Sequence, residues 1–234
     1  MSTPPTIAVC LPSRGLIHSR TLEATLVALE NALRCQPLQC AGWFLTHDLP
    51  IPACHEKVAE RALHAGAEYL WFVEEDMIPP PDALTALLST QRQTGAGIVT
   101  IDYPIGAQPT QSAIMRKQSD HTIWWCGLGC TLMTRAVFET LPRPWFLSEH
   151  PGVFIRNGER GPWRYEATAQ PNVYAYGGQD VWLCYQATQA GFTIAQVPGM
   201  VAGHARLRSW GAQHTNDGAH RVDVLREIEV HHAG

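Results

Sequence analysis

The chain holds 234 residues, 45% hydrophobic and 16% charged, with a formal net charge of −4. That length suffices for a sizeable core in one domain. No run of about 18 apolar residues is present, which excludes a transmembrane helix, and Met1 to Thr6 lacks the basic and apolar regions of a signal peptide. Seven cysteines without a CxxC pair favour a reducing compartment, so the expected location is the cytoplasm.

Residues 6–11 are predicted as a short apolar strand, stopped by Pro12-Ser13-Arg14-Gly15. A helical pattern follows, with Leu22, Leu26, Leu29 and Leu33 at spacings of three and four. Residues 38–45 read as a second strand, about 53–64 as a helix closed by Gly66, and 69–73 as a third strand. Pro79 to Pro81 open another helix, to about Arg92, where a missing N–H costs nothing. Residues 97–101 complete the alternation of strands and helices that marks an α/β protein with a mostly parallel sheet.

The second half changes character. Residues 112–116, 122–125 and 130–133 read as short strands of mixed direction, and 135–141 as a short helix. Residues 142–178 are rich in Pro, Gly and Arg without a clear period, and aromatics such as Trp145, Phe146, Trp163 and Tyr165 argue against disorder there. A helix over 179–190 closed by Gly191, a last strand over 192–197 and a polar tail over 203–211 end the reading. Residues 1–115 carry six Lys/Arg against eleven Asp/Glu, whereas 116–226 carry eleven against eight, a mild basic excess that suits an anionic partner.

The run Leu70-Trp71-Phe72-Val73-Glu74-Glu75-Asp76-Met77 is the most informative segment. A buried strand cannot keep unpaired acids, so Glu74, Glu75 and Asp76 belong where the strand leaves the sheet, the usual ligand edge of an open α/β fold. Three carboxylates there repel one another, a repulsion that a divalent cation, Mg²⁺ or Mn²⁺, would relieve. Neither a P-loop nor a GxGxxG occurs. Three other places draw notice: the turn holding Ser13 and Arg14, Gly177-Gly178-Gln179-Asp180 at a helix mouth, and Gly203-His204 after the last strand. Cys126 and Cys130 are four apart near His121, but the intervening Gly127-Leu128-Gly129 reads as strand and turn rather than as a zinc site.

Taken in order, the strand-end acids, a GlyXaaAsp about 100 residues later and a His about 24 beyond it resemble the nucleotide-sugar glycosyltransferases of the GT-A fold, in particular the family-2-like group. The resemblance runs from about Ile7 to Arg206. Glu74-Glu75-Asp76 stands at the family's Asp-x-Asp, and Trp125-Cys126-Gly127-Leu128-Gly129 resembles its glycine-containing strand. Gly178-Gln179-Asp180 looks like its GlyGluAsp segment, and His204 like its late metal-binding histidine. The resemblance implies a single domain over 1–234: a donor and metal half over about 1–115 and an acceptor half over about 116–234, with a smaller mixed sheet. It implies that Asp76, His204 and Glu74 bind Mn²⁺ or Mg²⁺. Asp180 would be the general base, and Ser13, Arg14, Asp48 and Glu75 would serve a nucleoside-diphosphate sugar, with UDP-sugars first. Trp125, Gly127, Gly129, Arg156 and Arg164 would border the donor sugar and the acceptor, which is a saccharide or a hydroxymethylated base in DNA. Departures are Glu74 for the first Asp, Gln179 for the Glu before Asp180, and Cys54-His55 where many relatives carry Arg-Asn. Two other readings stand beside this one: a nucleotidyltransferase of similar fold, which would release pyrophosphate, and a module that binds nucleotide or glycan without turnover.

Overall fold

Six strands in the order β13-β5-β8-β3-β1-β2 form the central sheet of the computed structural model. It describes residues 3–105, 112–117, 120–147, 149–150, 153–156, 163–166, 175–176, 178–207 and 228–230. The first elements are β1 (Thr6–Leu11), α1 (Ser19–Cys35), β2 (Gln39–Leu45), α2 (Ala53–His64) and β3 (Tyr69–Val73). β2, β1 and β3 lie side by side and parallel. Next come β4 (Met77–Ile78), α3 (Ala83–Thr94), β5 (Ile98–Asp102), β6 (Ile114–Arg116), β7 (Ile123–Cys126), β8 (Cys130–Thr134) and α4 (Arg135–Thr140). Of the three short strands predicted in the second half, β8 enters the central sheet, antiparallel between β3 and β5. β6 and β7 pair only with each other as an antiparallel ribbon.

The stretch over 142–178, aperiodic in sequence, contains β9 (Glu149–His150), β10 (Val153–Arg156), β11 (Trp163–Glu166) and β12 (Ala175–Tyr176). β10 pairs antiparallel with β11, and β9 with β12. The remaining elements are α5 (Gln179–Gln189), β13 (Ile194–Val201), β14 (Gly203–Leu207) and β15 (Ile228–Val230). The tail expected to be merely polar therefore begins with a strand, and β14 pairs antiparallel with both β4 and β15.

The alternation of side chains along buried strands divides the core in two. Ile7, Val9, Leu11, Trp71 and Val73 pack on one face with Leu84 and Leu87 of α3. Ala8, Cys10, Leu70 and Phe72 pack on the other with Val58 of α2, Phe138 of α4 and Leu183 of α5. Burial on both faces explains why β1 and β3 are continuously apolar. The leucine face expected on α1 is corrected by the structure. Leu22, Leu26 and Leu33 are exposed, and the buried residues are Thr21, Thr25, Ala28, Leu29 and Ala32. Both sets obey helical spacing one residue apart, and the face of small residues won because α1 packs closely against α3 and β4. Among the described residues no helix is long and apolar enough to cross a membrane.

Candidate functional site

The three acids gather where β3 leaves the sheet and line one small cavity there. Each has its own partner from a different element. Glu75 accepts from the turn after β1: Arg14 Nε at 2.8 Å and Nη2 at 2.5 Å on Oε1, Ser13 Oγ at 3.1 Å and the Arg14 backbone N–H at 3.0 Å on Oε2. Glu74 meets His55 Nε2 through Oε1 at 3.2 Å. Asp76 meets His204 Nε2 through Oδ2 at 3.1 Å. The repulsion expected of three adjacent carboxylates is thus answered inside the protein, with bases that lie 61 residues before Glu75, 19 before Glu74 and 128 after Asp76.

The turn after β1 is fixed from several sides. The Ser13 N–H donates to Thr46 Oγ1, whose hydroxyl donates back to the Ser13 carbonyl, and the Gly15 N–H donates to Ser13 Oγ. Gly15 adopts φ 138°, where a side chain would be strained, and a Cβ there would lie 3.5 Å from Asp48 Oδ1. Asp48 itself holds φ 56°, a left-handed conformation that Asp tolerates better than most residues. Ser13 and Arg14 are thus tied to Glu75, and Asp48 lies against the same turn beside Gly15. The oxygens of Glu75 are already occupied by the turn itself.

His204 reaches Asp76 because β14 lies against β4: His204 is opposite Met77, and the Ala205 N–H donates to the Asp76 carbonyl at 2.7 Å. His204 Nδ1 is 2.8 Å from the Pro104 carbonyl, which can only accept, so Nδ1 carries a proton. In a neutral imidazole Nε2 then presents a lone pair to a carboxylate oxygen, an arrangement of two acceptors. A proton on Nε2 or a divalent cation resolves it, and the carbonyl behind Nδ1 is the outer support that metal-binding histidines ordinarily have. The chemistry of the pair, an imidazole nitrogen beside a carboxylate oxygen, fits a divalent cation such as Mn²⁺ or Mg²⁺, and Asp76 and His204 are the residues that would hold it. Among the described residues no group of three or more His, Cys, Asp or Glu is placed to hold a metal, and the near oxygen of Glu74 is turned to His55.

Asp180 sits at the mouth of α5, half-buried, with Oδ1 accepting from the Val181 N–H at 2.8 Å. The carboxylate folds back so closely that a Cβ on Gly178 would lie 2.2 Å from Oδ1, which is why glycine precedes it there. Burial first, then the charge of Glu74, raise its pKa to about 6, against opposing pulls from the Val181 N–H and His55. Burial and the same two carboxylates, Glu74 and Asp180, also raise the Tyr103 phenol well above its ordinary value. Glu74, Asp180 and Tyr103 therefore share one electrostatic neighbourhood at the end of the sheet. A small cavity of about 70 Å³ opens there, lined by Arg14, Cys54, His55, Glu74, Glu75 and Asp76 among others. A wider groove of about 570 Å³ lies elsewhere, between the turn over 117–122 and the start of β13, away from these acids.

Gly127 and Gly129 are packed against protein. A Cβ on Gly127 would fall 1.9 Å from the Tyr103 hydroxyl, and one on Gly129 would fall 2.6 Å from Met77 Sδ and 2.8 Å from the Tyr103 ring. The Gly129 N–H donates to that hydroxyl at 3.2 Å. Their glycine identity is thus explained by room for Tyr103, whose ring also meets His204 edge-on at 5.7 Å. Trp125 is partly buried on β7, opposite Met115. Arg156 and Arg164 are placed only as backbone, in the β10–β11 hairpin, and their side chains lie outside the described part.

Two residues that sequence reasoning missed belong to this neighbourhood. Tyr103 follows β5 by one position, and nothing local marks it. His55, the third residue of α2, is 1% exposed, with Nδ1 at 3.3 Å from Cys54 Sγ. Burial disfavours its charge, yet the hydrogen bonds to Cys54 and Glu74 prevail and raise its pKa to about 9. The signal available in the sequence was its place at the start of the helix after the second strand.

Sheet order and strand direction define an α/β fold: a mostly parallel six-stranded sheet flanked by helices, with β8 antiparallel inside it. A197 from STIV has a similar structure, with a TM-score of 0.56 and 17% identity over 86% of this chain and 85% of that one. Two more distant likenesses are glucosyl-3-phosphoglycerate synthase from Mycobacterium tuberculosis and CMP:2-keto-3-deoxy-manno-octonic acid synthetase. The first, solved with Mn²⁺, UDP-glucose and phosphoglyceric acid, gives a TM-score of 0.44 and 16% identity over 87% of this chain and 73% of that one. The second, solved with CTP, gives 0.38 and 14% over 83% and 89%. No family model matches the sequence, and no curated protein does. At such identities the likeness concerns the fold alone.

Proposed function

We propose that this protein is a metal-dependent glycosyltransferase that moves a sugar from a nucleoside-diphosphate sugar, UDP-sugars first, to an acceptor hydroxyl. The observation that carries the reading is the Asp76–His204 pair. It consists of two metal-competent atoms 3.1 Å apart, backed by the Pro104 carbonyl, and Glu74, two residues from Asp76, acts electrostatically on Asp180, whose pKa is near 6.

Asp76 and His204 would hold Mn²⁺ or Mg²⁺, and that cation supplies neutralisation of the diphosphate as it leaves. Glu74 offers its second oxygen to the ribose, or to the cation through water. Ser13, Arg14 and Asp48 border the nucleoside. Asp180 accepts the proton of the acceptor hydroxyl. A base with a pKa near 6 is mostly ionised at neutral pH yet basic enough to take a proton in the transition state. Residues 142–178 and Trp125 frame the acceptor, a saccharide or a hydroxymethylated base in DNA, with Arg156 and Arg164 for its phosphates. One domain in the cytoplasm carries both halves.

The test is a thermal-shift panel of UDP, GDP, CDP and dTDP with and without Mn²⁺ or Mg²⁺, followed by turnover of the matching sugar donors. One nucleotide should stabilise the fold by about 2.7 kcal/mol at 100 times its Kd, only with metal. Turnover should then release the nucleoside diphosphate. Release of pyrophosphate would assign a nucleotidyltransferase instead, and metal-dependent binding without turnover would leave a binding module.

A further inference from the structure

His55 connects the two halves of the site. It lies in the first turn of α2, fully enclosed, with its ring stacked at 9° on Phe72 of β3 and tilted at 45° against Phe146, at centroid distances of 6.3 and 5.5 Å. Both ring nitrogens are engaged, Nδ1 by Cys54 Sγ and Nε2 by Glu74 Oε1. Phe146 is held in turn by the next residue of α2: the Glu56 carboxylate accepts from the Trp145 N–H at 2.9 Å, the Phe146 N–H at 3.3 Å and Arg143 Nε at 2.8 Å. A glutamate has several rotatable bonds and, at a strand end, no backbone reason to keep one orientation. Here an imidazole with no rotational freedom of its own fixes one oxygen. Among the described residues the other oxygen takes no hydrogen bond.

We propose that His55 is a positioning residue: it holds Glu74 Oε1 so that Oε2 faces the donor, and through Phe146 it ties that orientation to the root of the acceptor segment. The inference rests on the glycosyltransferase reading and adds to it a residue that neither touches substrate nor binds metal. Supports of this kind behind a ligand-binding group typically change affinity or activity about 10- to 100-fold when removed. A core histidine without this role would affect stability alone.

The experiment is a double-mutant cycle on the full chain, with transfer or donor hydrolysis as the readout for kcat and KM and with calorimetric binding of the nucleoside diphosphate plus Mn²⁺. His55→Phe, which keeps the stacking but removes both ring nitrogens, should lower kcat/KM about 10- to 100-fold in the wild-type background and less than about 2-fold in Glu74→Ala. His55→Gln, which retains an N–H for Glu74, should recover most of the loss. Should His55→Phe fail to fold, Cys54→Ala takes its place in the cycle, with a smaller loss that again vanishes in Glu74→Ala. Equal losses in both backgrounds, or no loss from His55→Phe in folded protein, would overturn the proposal. A wild type that neither binds nor turns over any nucleoside-diphosphate sugar would remove the functional reading itself and the proposal with it, an outcome visible before any variant is made.

Discussion

The carboxylates at the ends of β3 and at the mouth of α5 belong to one neighbourhood yet live in opposite circumstances. Glu74, Glu75 and Asp76 each have a basic partner, His55, Arg14 and His204 respectively. Among the described residues Asp180 has none in its hydrogen bonds; it is half-buried and lies in the field of Glu74, so its pKa climbs to about 6. Acids held by partners keep their geometry, which suits binding. An acid that is desolvated and unpaired resists charge, which suits proton transfer at neutral pH. In the proposed function, the division between binding and chemistry follows from the partners of these residues.

The largest expected effect breaks the unpaired side of this contrast. Asp180→Asn should lower transfer by about 10²- to 10⁴-fold, the usual worth of a positioned base, while nucleotide affinity changes little. The same variant should be more stable than wild type. The folded pKa of about 6 lies above the ordinary 3.8, so the contribution of Asp180 to stability is full below pH 3.8 and is lost as pH rises through 6. Once partial solvent exposure is discounted, the gain at pH 7 is on the order of 1 kcal/mol, about 2–4 °C in Tm. Activity of the wild type should fall as pH drops below about 6, and a pH–rate profile checks the sign.

Next in size, His204→Ala should weaken metal-dependent nucleotide binding by about 10- to 100-fold. A titration of Mn²⁺ at fixed nucleotide measures it. Gly129→Ala places a methyl group against Met77 and the Tyr103 ring, and overpacking of this kind costs about 1–3 kcal/mol, read as a lower Tm. The smallest effect should come from Arg14→Ala. The Arg14 side chain is 64% exposed, so loss of its pair with Glu75 should cost less than about 1 kcal/mol of stability, and any larger effect on nucleotide affinity would point to a direct contact with the donor.

Much of this architecture was legible in the chain. Apolar strands ending in polar turns located β1, β3 and β5, because burial on both faces of a sheet leaves a continuous apolar run. Helix α1 was placed but turned to the wrong face, since Thr21, Thr25 and Ala28 carry no hydrophobic signal although they form the close-packed side. The acids, Asp180 and His204 were picked out as candidates. The pairing of Glu74 with His55 was not, because a hydrogen bond between a helix and a strand end depends on tertiary geometry. Tyr103 stayed hidden for the same reason, although Gly127 and Gly129, which make room for it, stood out in the sequence.

The most direct test of the central contrast is calorimetric binding of UDP, or of whichever nucleoside diphosphate the thermal panel selects, with Mn²⁺, to wild type, Asp76→Ala and Asp180→Asn, alongside turnover of its sugar donor. The account predicts tight metal-dependent binding to wild type and to Asp180→Asn, weak binding to Asp76→Ala, and turnover by wild type alone. Binding that is lost in Asp180→Asn but kept in Asp76→Ala, or transfer that survives Asp180→Asn, would contradict it.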